Sequence, residues 1–272
     1  MGGDDAPVDQ TAKKGKQMYD ISQPILTERR GPVLIITINR PEARNAFDRA
    51  TSDAMNAAMD VLDEDDRLFI GIITGAGGNF SAGADLKEIA KLGLPPQPPR
   101  GGFGIMARPA RKPLIAAVEG YAVAGGFETC LSCDLIVAAR DARFGLPEVR
   151  HNLLASCALV QLPRRMPYHL AMELVLTGAL REATWFERFG LVNRITENGN
   201  ALAEALQLAN ELLECGPLAL AASKETMFQS AGQDDTRWVD NTPIAQKVHG
   251  SEDQIEALKA FAEKRKPVWK GR

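Results

Sequence analysis

Two glutamates stand out in this sequence because of what surrounds them. Glu128 lies in Gly-Gly-Phe-Glu-Thr-Cys and Glu148 in Phe-Gly-Leu-Pro-Glu-Val. A lone carboxylate among apolar and small residues is costly to bury without partners. Two such groups facing one pocket can divide acid and base roles when their environments push their pKa values apart. A pair of hydrogen-bonded structural acids fits the same pattern. Two glycine turns offer a further chemistry. Phe80-Ser-Ala-Gly-Ala-Asp85 follows an apolar run and precedes a helix-like segment, Leu86 to Lys91. Gly120-Tyr-Ala-Val-Ala-Gly-Gly-Phe-Glu128 has the same strand-to-helix context. Small residues there leave backbone N–H groups unobstructed, and a helix start aims them outward. Two such turns together can hold one oxygen between two N–H groups, an oxyanion hole. Tight connections packed for steric reasons are the alternative.

Other signals carry less. Gly75-Ala-Gly-Gly78 follows a strand-like run but meets neither nucleotide-loop motif, GxGxxG or Gly-Lys-Ser/Thr. Cys130 and Cys133 have redox or zinc spacing, yet no second pair or nearby histidine, so they read as small core residues. His151, His169 and His249 show no ligand spacing, and no metal site is expected. Lys264-Arg-Lys266 reads as a solvated face that can also meet an anionic ligand.

The elements that must position these residues alternate. Val33 to Asn39, Leu68 to Thr74, Leu114 to Val118 and Leu135 to Ala139 are short, apolar, strand-like runs. Asp48 opens a helical pattern over 51–62. Strand and helix alternate up to about residue 150, which argues for βα units winding a core of strands. Beyond it, 157–177, 182–190, 201–215, 217–230 and 250–265 read as helices, with one strand-like piece, Leu191 to Thr196. The expected organisation is a polar mobile tail over 1–20, an α/β core over 21–200 and a helical C-terminal part over 201–272. Leu94 to Gly104, rich in proline and glycine, is a loop.

The 272 residues carry 32 Lys+Arg against 35 Asp+Glu, a net charge of −3, which argues against a nucleic-acid partner. No run of about 18 apolar residues occurs, so no membrane association is expected. Met1 to Asp20 lacks the apolar centre of a signal peptide, and four cysteines are too few for a disulfide scaffold. Both point to a reduced, cytoplasmic setting.

Several motifs in order resemble one family. They are Asn39-Arg-Pro-Glu-Ala-Arg-Asn-Ala46, Phe80-Ser-Ala-Gly-Ala-Asp-Leu86, Gly120 to Glu128, Cys133-Asp134, Phe144-Gly-Leu-Pro-Glu148, Gly190-Leu-Val-Asn193 and Ala260-Phe-Ala-Glu-Lys-Arg265. The sequence resembles the crotonase, or enoyl-CoA hydratase/isomerase, superfamily from about residue 25 onward. The resemblance implies an α/β spiral of ββα units with a helical C-terminal part used in trimer formation. It implies oxyanion-hole N–H groups at Ala84 and Gly125, and coenzyme A contacts at Arg44 and the backbone from Ala82 through Ala84, Asp85 and Leu86 to Lys87. Phe261 and Lys264 match positions that can reach the coenzyme A of a neighbouring subunit. Glu128 and Glu148 match the two carboxylates of hydratases, whereas isomerases of the family generally lack the first.

The resemblance therefore implies a lyase of the fatty enoyl-CoA type. It adds water across the 2,3 double bond of a 2-enoyl thioester, with coenzyme A only as part of the substrate. Isomerisation or another crotonase reaction is the first alternative, and a non-catalytic acyl-CoA binding protein the second. A homotrimer or dimer of trimers is expected, supported by apolar residues of the C-terminal part, Leu202, Leu206, Leu212, Leu218 and Met227. One departure stands out. Where hydratases carry a glycine-rich run after Pro-Glu, this sequence has Asn152-Leu-Leu-Ala-Ser-Cys-Ala-Leu159. Ser156 is expected to cap the following helix, and the added side chains to crowd the acyl end of the pocket.

Overall fold

The computed structural model describes residues 23–92, 96–151, 153–230 and 251–272. The expected tail over 1–20, Asn152 and His249 lie outside the described residues. Six strands form the main sheet in the order β1(Ile25–Arg30), β2(Val33–Ile38), β3(Ile70–Gly75), β4(Leu114–Val118), β6(Leu135–Ala139), β9(Arg194–Thr196). A smaller sheet runs β5(Tyr121–Val123), β7(Arg143–Gly145), β8(Leu180–Glu182). The main sheet is parallel except for the β1–β2 hairpin.

The apolar runs in β2, β3 and β4 are continuous because both faces of this sheet are covered. Val33, Ile35, Ile70, Ile72, Ile115 and Ala117 face α7(Ala201–Leu213), which contributes Ala201, Ala205 and Leu208. The alternate residues Leu34, Ile36, Ile38, Ile73, Leu114, Ala116 and Val118 face the larger core. There they meet α1(Arg49–Glu64), whose buried stripe is Met55, Ala58, Met59 and Leu62. Asp48 caps α1, its carboxylate accepting the Thr51 amide at 2.8 Å.

Single backbone bridges extend the small sheet. Phe47 pairs with Ala84 and Ser81 with Ala122, each in parallel. The chain thus lays one segment in each layer per turn: β2 then Phe47, β3 then Ser81–Ala84, β4 then β5, β6 then β7. Helices α1, α2(Leu86–Leu92) and α3(Gly125–Leu131) close the first three turns. This is the expected spiral of ββα units, and it stacks the two glycine turns side by side.

Several boundaries differ from the pattern read in sequence. The helix expected over 157–177 is broken into α4(Ser156–Gln161), a 3-10 turn over Leu162–Arg164 and α5(Tyr168–Thr177). Pro163 and Pro167 lack the amide a continuous helix needs. The segment expected as helix over 182–190 begins in β8 and keeps only α6(Ala183–Glu187) helical. Leu202, Leu206 and Leu212 pack against the main sheet of their own chain, so they are not a free face. Met227 and Phe228 of α8(Pro217–Ser230) are exposed. No helix among the described residues is long and apolar enough to cross a membrane.

Candidate active site

Two consecutive turns of the spiral bring Ala84 and Gly125 into one place. The Phe47 amide donates to the Gly83 carbonyl at 2.7 Å and the Asp85 amide to the Phe47 carbonyl at 2.9 Å, which leaves the Ala84 amide between them unused. Gly125 begins α3, where the first amides of a helix lack internal partners. Among the described residues, neither the Ala84 nor the Gly125 amide donates to another protein group. The turns touch. A Cβ on Gly83 would stand 2.8 Å from the Gly125 nitrogen, and one on Gly126 only 2.2 Å from the Ser81 carbonyl oxygen. Side chains at either position would force the turns apart. Ala124, which delivers Gly125, is held at φ 53, ψ −131, a conformation that alanine rarely adopts. Its amide is anchored on the Gly145 carbonyl at 2.9 Å.

Glu128 lies one turn into α3 and is buried. Its Oε1 accepts the amides of Cys157 at 2.8 Å and Ala158 at 2.9 Å, at the start of α4. Burial raises its pKa, while these two amides favour the charged form and oppose the rise. Glu148 sits in the 3-10 turn Pro147–His151. Its Oε2 is buried without a hydrogen-bond partner among the described residues. Burial, with the charge of Glu128 adding to it, pushes its pKa up to about 7. Glu148 therefore senses the charge of Glu128, and the two carboxyls differ in their support.

Ser156, expected to cap α4, does not. It is the first residue of the helix, its side chain makes no capping bond, and the carboxylate of Glu128 fills that place from α3. Cys130 and Cys133 are buried in the core, where burial drives the Cys133 thiol up to about 12 and Cys130 well above its ordinary value. No His, Cys, Asp and Glu cluster suited to a metal ion occurs among the described residues.

The residues matched to coenzyme A contacts are brought together only in part. Arg44 and Ala82 share a cavity of about 340 Å³ with Asn79, Tyr121 and Val123, and the Arg44 carbonyl accepts the Ala82 amide at 3.0 Å. Leu86 and Lys87 are exposed at the start of α2. Asp85 is occupied structurally, since its carboxylate binds Arg40 at 3.0 Å and accepts the Lys87 amide at 3.1 Å, capping α2. Lys264 is exposed just beyond α9(Glu252–Ala262) and does not line the cavity of Arg44. The side chain of Phe261 lies outside the described residues.

Sequence reading missed four contributors. Asn45, fully buried at φ 56, ties the Arg40 amide to the Ala76 and Asn79 carbonyls and so fixes the floor of the first turn. The Cys157 and Ala158 amides carry no side-chain signal at all. Phe103 lies in the glycine-rich loop, and its ring reaches Gly125.

Comparison with known proteins identifies the family. The profile of the enoyl-CoA hydratase/isomerase family matches residues 28–272. A carnitinyl-CoA dehydratase of Salmonella typhi is 39% identical over 262 residues, covering 93% of this chain and 100% of the relative. The crystal structure of an enoyl-CoA hydratase from Mycobacterium tuberculosis superposes with a TM-score of 0.87 at 47% identity, covering 92% of this chain and 99% of that one. A carnitinyl-CoA hydratase from Mycobacterium avium gives 0.73 at 39% identity, with 92% and 99% covered. The chain belongs to the enoyl-CoA hydratase/isomerase family.

Proposed function

We propose that this protein hydrates a 2-enoyl-CoA thioester and catalyses the reverse dehydration. The observation that carries the reading is the pair Glu128 and Glu148, two buried carboxyls with different support. Glu128 lies on the helix whose initial amide, that of Gly125, is unused beside the unused amide of Ala84. Glu128, held by two amides, takes a proton from water as its oxygen attacks the β-carbon. Glu148 gives its proton to the α-carbon. Negative charge gathers on the thioester oxygen, where the Ala84 and Gly125 amides donate to it. Donors already in place stabilise that charge more in the transition state than in the ground state. The atoms balance with water alone, coenzyme A entering as part of the substrate.

Coenzyme A lies along Arg44, Ala82 and the start of α2 in this reading. Phe261 and Lys264 act in trans from a neighbour, within a homotrimer or dimer of trimers. Deleting residues 250–272 then weakens assembly and coenzyme A binding together, and a monomer that binds at full strength in light scattering would defeat the trans contact.

The activity test follows loss of the enoyl thioester chromophore across C4 to C16 substrates. Carnitinyl-CoA, run in the dehydration direction, is included because relatives bear that name. Hydrated product supports the reading. A shifted double bond identifies an isomerase instead, and tight binding without turnover an acyl-CoA binding protein.

A further inference from the structure

Phe103 is half-buried, and its position is fixed by its neighbours. Its own backbone is left-handed, at φ 54, between Gly102 and Gly104. Gly104 presses on α1, where a Cβ would stand 2.3 Å from the Ser52 carbonyl oxygen and 2.5 Å from the Asn56 nitrogen. Just upstream, the buried Arg100 binds Asp60 and Asp63 of α1, each at 2.7 Å, and its amide donates to the Asn56 side chain at 3.1 Å. The loop is thus bolted to α1, which fixes the backbone that carries the Phe103 ring.

The ring itself stacks on Phe47, centroids 4.5 Å apart and planes 5° from parallel. Phe47 is the residue whose backbone flanks Ala84. The edge of the ring meets Gly125, where a Cβ would stand 2.0 Å from one ring carbon and 2.4 Å from the next. Residues three apart on a helix share a face, so the stripe of α3 that Phe103 covers at Gly125 also carries Glu128. The aromatic ring thus touches both segments that present the unused amides, at Phe47 beside Ala84 and at Gly125 on the α3 face that carries Glu128.

We propose that Phe103 is a specificity-determining residue, a fixed aromatic wall on Gly125 that limits how large an acyl group the site accepts. The proposal rests on the hydratase reading for the location of the acyl group, and its test does not need turnover. The ring, once removed, leaves space for apolar chain, and two further buried methylene groups already account for about a tenfold gain in affinity.

The experiment measures binding of butyryl-CoA and decanoyl-CoA, both saturated and unreactive, to the full chain and to Phe103→Ala and Phe103→Leu by calorimetry. The decanoyl-to-butyryl affinity ratio should rise about tenfold or more in Phe103→Ala and by less in Phe103→Leu, with free coenzyme A bound equally by all three. An unchanged ratio in a folded variant, or equal weakening of both ligands, overturns the proposal. If Phe103→Ala does not fold, Phe103→Leu decides alone. Hydration of crotonyl-CoA by the unmodified protein is scored separately. Its absence counts against the hydratase reading, while the binding ratio still decides the role of Phe103.

Discussion

Glu128 and Glu148 are the same residue type in opposite situations. Glu128 is buried on a helix and accepts two amides from the start of α4. Glu148 is in a short turn, with one buried oxygen left without a partner and a pKa of about 7. Burial raises both pKa values, but the two amides oppose the rise at Glu128 and favour the charged form that suits a base. Glu148, less well supplied and beside the charge of Glu128, holds its proton more readily and suits an acid. The difference comes from backbone amides elsewhere in the fold, not from the local sequence of either residue. Changing either carboxyl tests the comparison most severely. Glu128→Gln and Glu148→Gln should each lower hydration kcat by at least about 10²-fold, the usual scale of general acid–base work, with coenzyme A affinity nearly unchanged. Near-native turnover in Glu128→Gln would leave a one-base isomerase as the better account.

The pH dependence sharpens the same contrast. The pair must hold one proton in either reaction direction, so kcat/KM should follow the same bell for hydration and dehydration. The alkaline limb should fall near 7, where Glu148 loses its proton, and the acid limb should fall as Glu128 gains one. A profile flat from pH 6 to 9 would contradict the assignment of Glu148. Stability carries a smaller signature. An acid whose pKa is higher folded than unfolded holds more protons in the folded state between those values, so stability falls as pH rises through that window. For Glu148 the window runs from 4.5 to about 7. Glu148→Gln removes this penalty and should raise Tm at pH 8 while leaving it nearly unchanged at pH 4. Equal shifts at both pH values would show that packing, not desolvated charge, is what the substitution alters.

Much of the scaffold was legible because it repeats a local rule. Runs such as Val33–Ile38 and Leu114–Val118 are apolar on both faces, and Asp48 announces the start of α1. The short strands β5, β7 and β8 were not legible, since three residues each carry no periodicity and owe their conformation to the layer they join. The site divides the same way. The two glutamates and glycine turns announce themselves by composition. The Cys157 and Ala158 amides, the strained Ala124 and the Phe103 ring are set by partners distant in sequence, which a single sequence does not reveal. Asp85 shows the converse: it sits within a matched motif, yet its carboxylate is occupied by Arg40 and the start of α2.

The glycine-free segment carries the smallest expected effect, and the reason returns to the support of Glu128. In sequence, the residues at 156–159 read as added bulk in the acyl pocket. In the fold, the side chains of Ser156 and Leu159 are exposed, and Ala158 is buried in the core. What the segment gives Glu128 is two backbone amides, and glycine supplies those as well as any residue. Ser156→Gly combined with Leu159→Gly should therefore change crotonyl-CoA turnover by less than about threefold, far below the scale of losing an acid or base. The stability cost should be about 1 kcal/mol, chiefly at Leu159, since Ser156 is the first residue of α4 and glycine costs most in a helix interior. If the folded double variant instead gains tenfold or more, crowding from these side chains is real, and the acyl wall includes α4 as well as Phe103. Unchanged turnover beside a shifted pH profile would mean that loosening α4 has moved its amides on Glu128, showing that their geometry tunes the base independently of the acyl pocket.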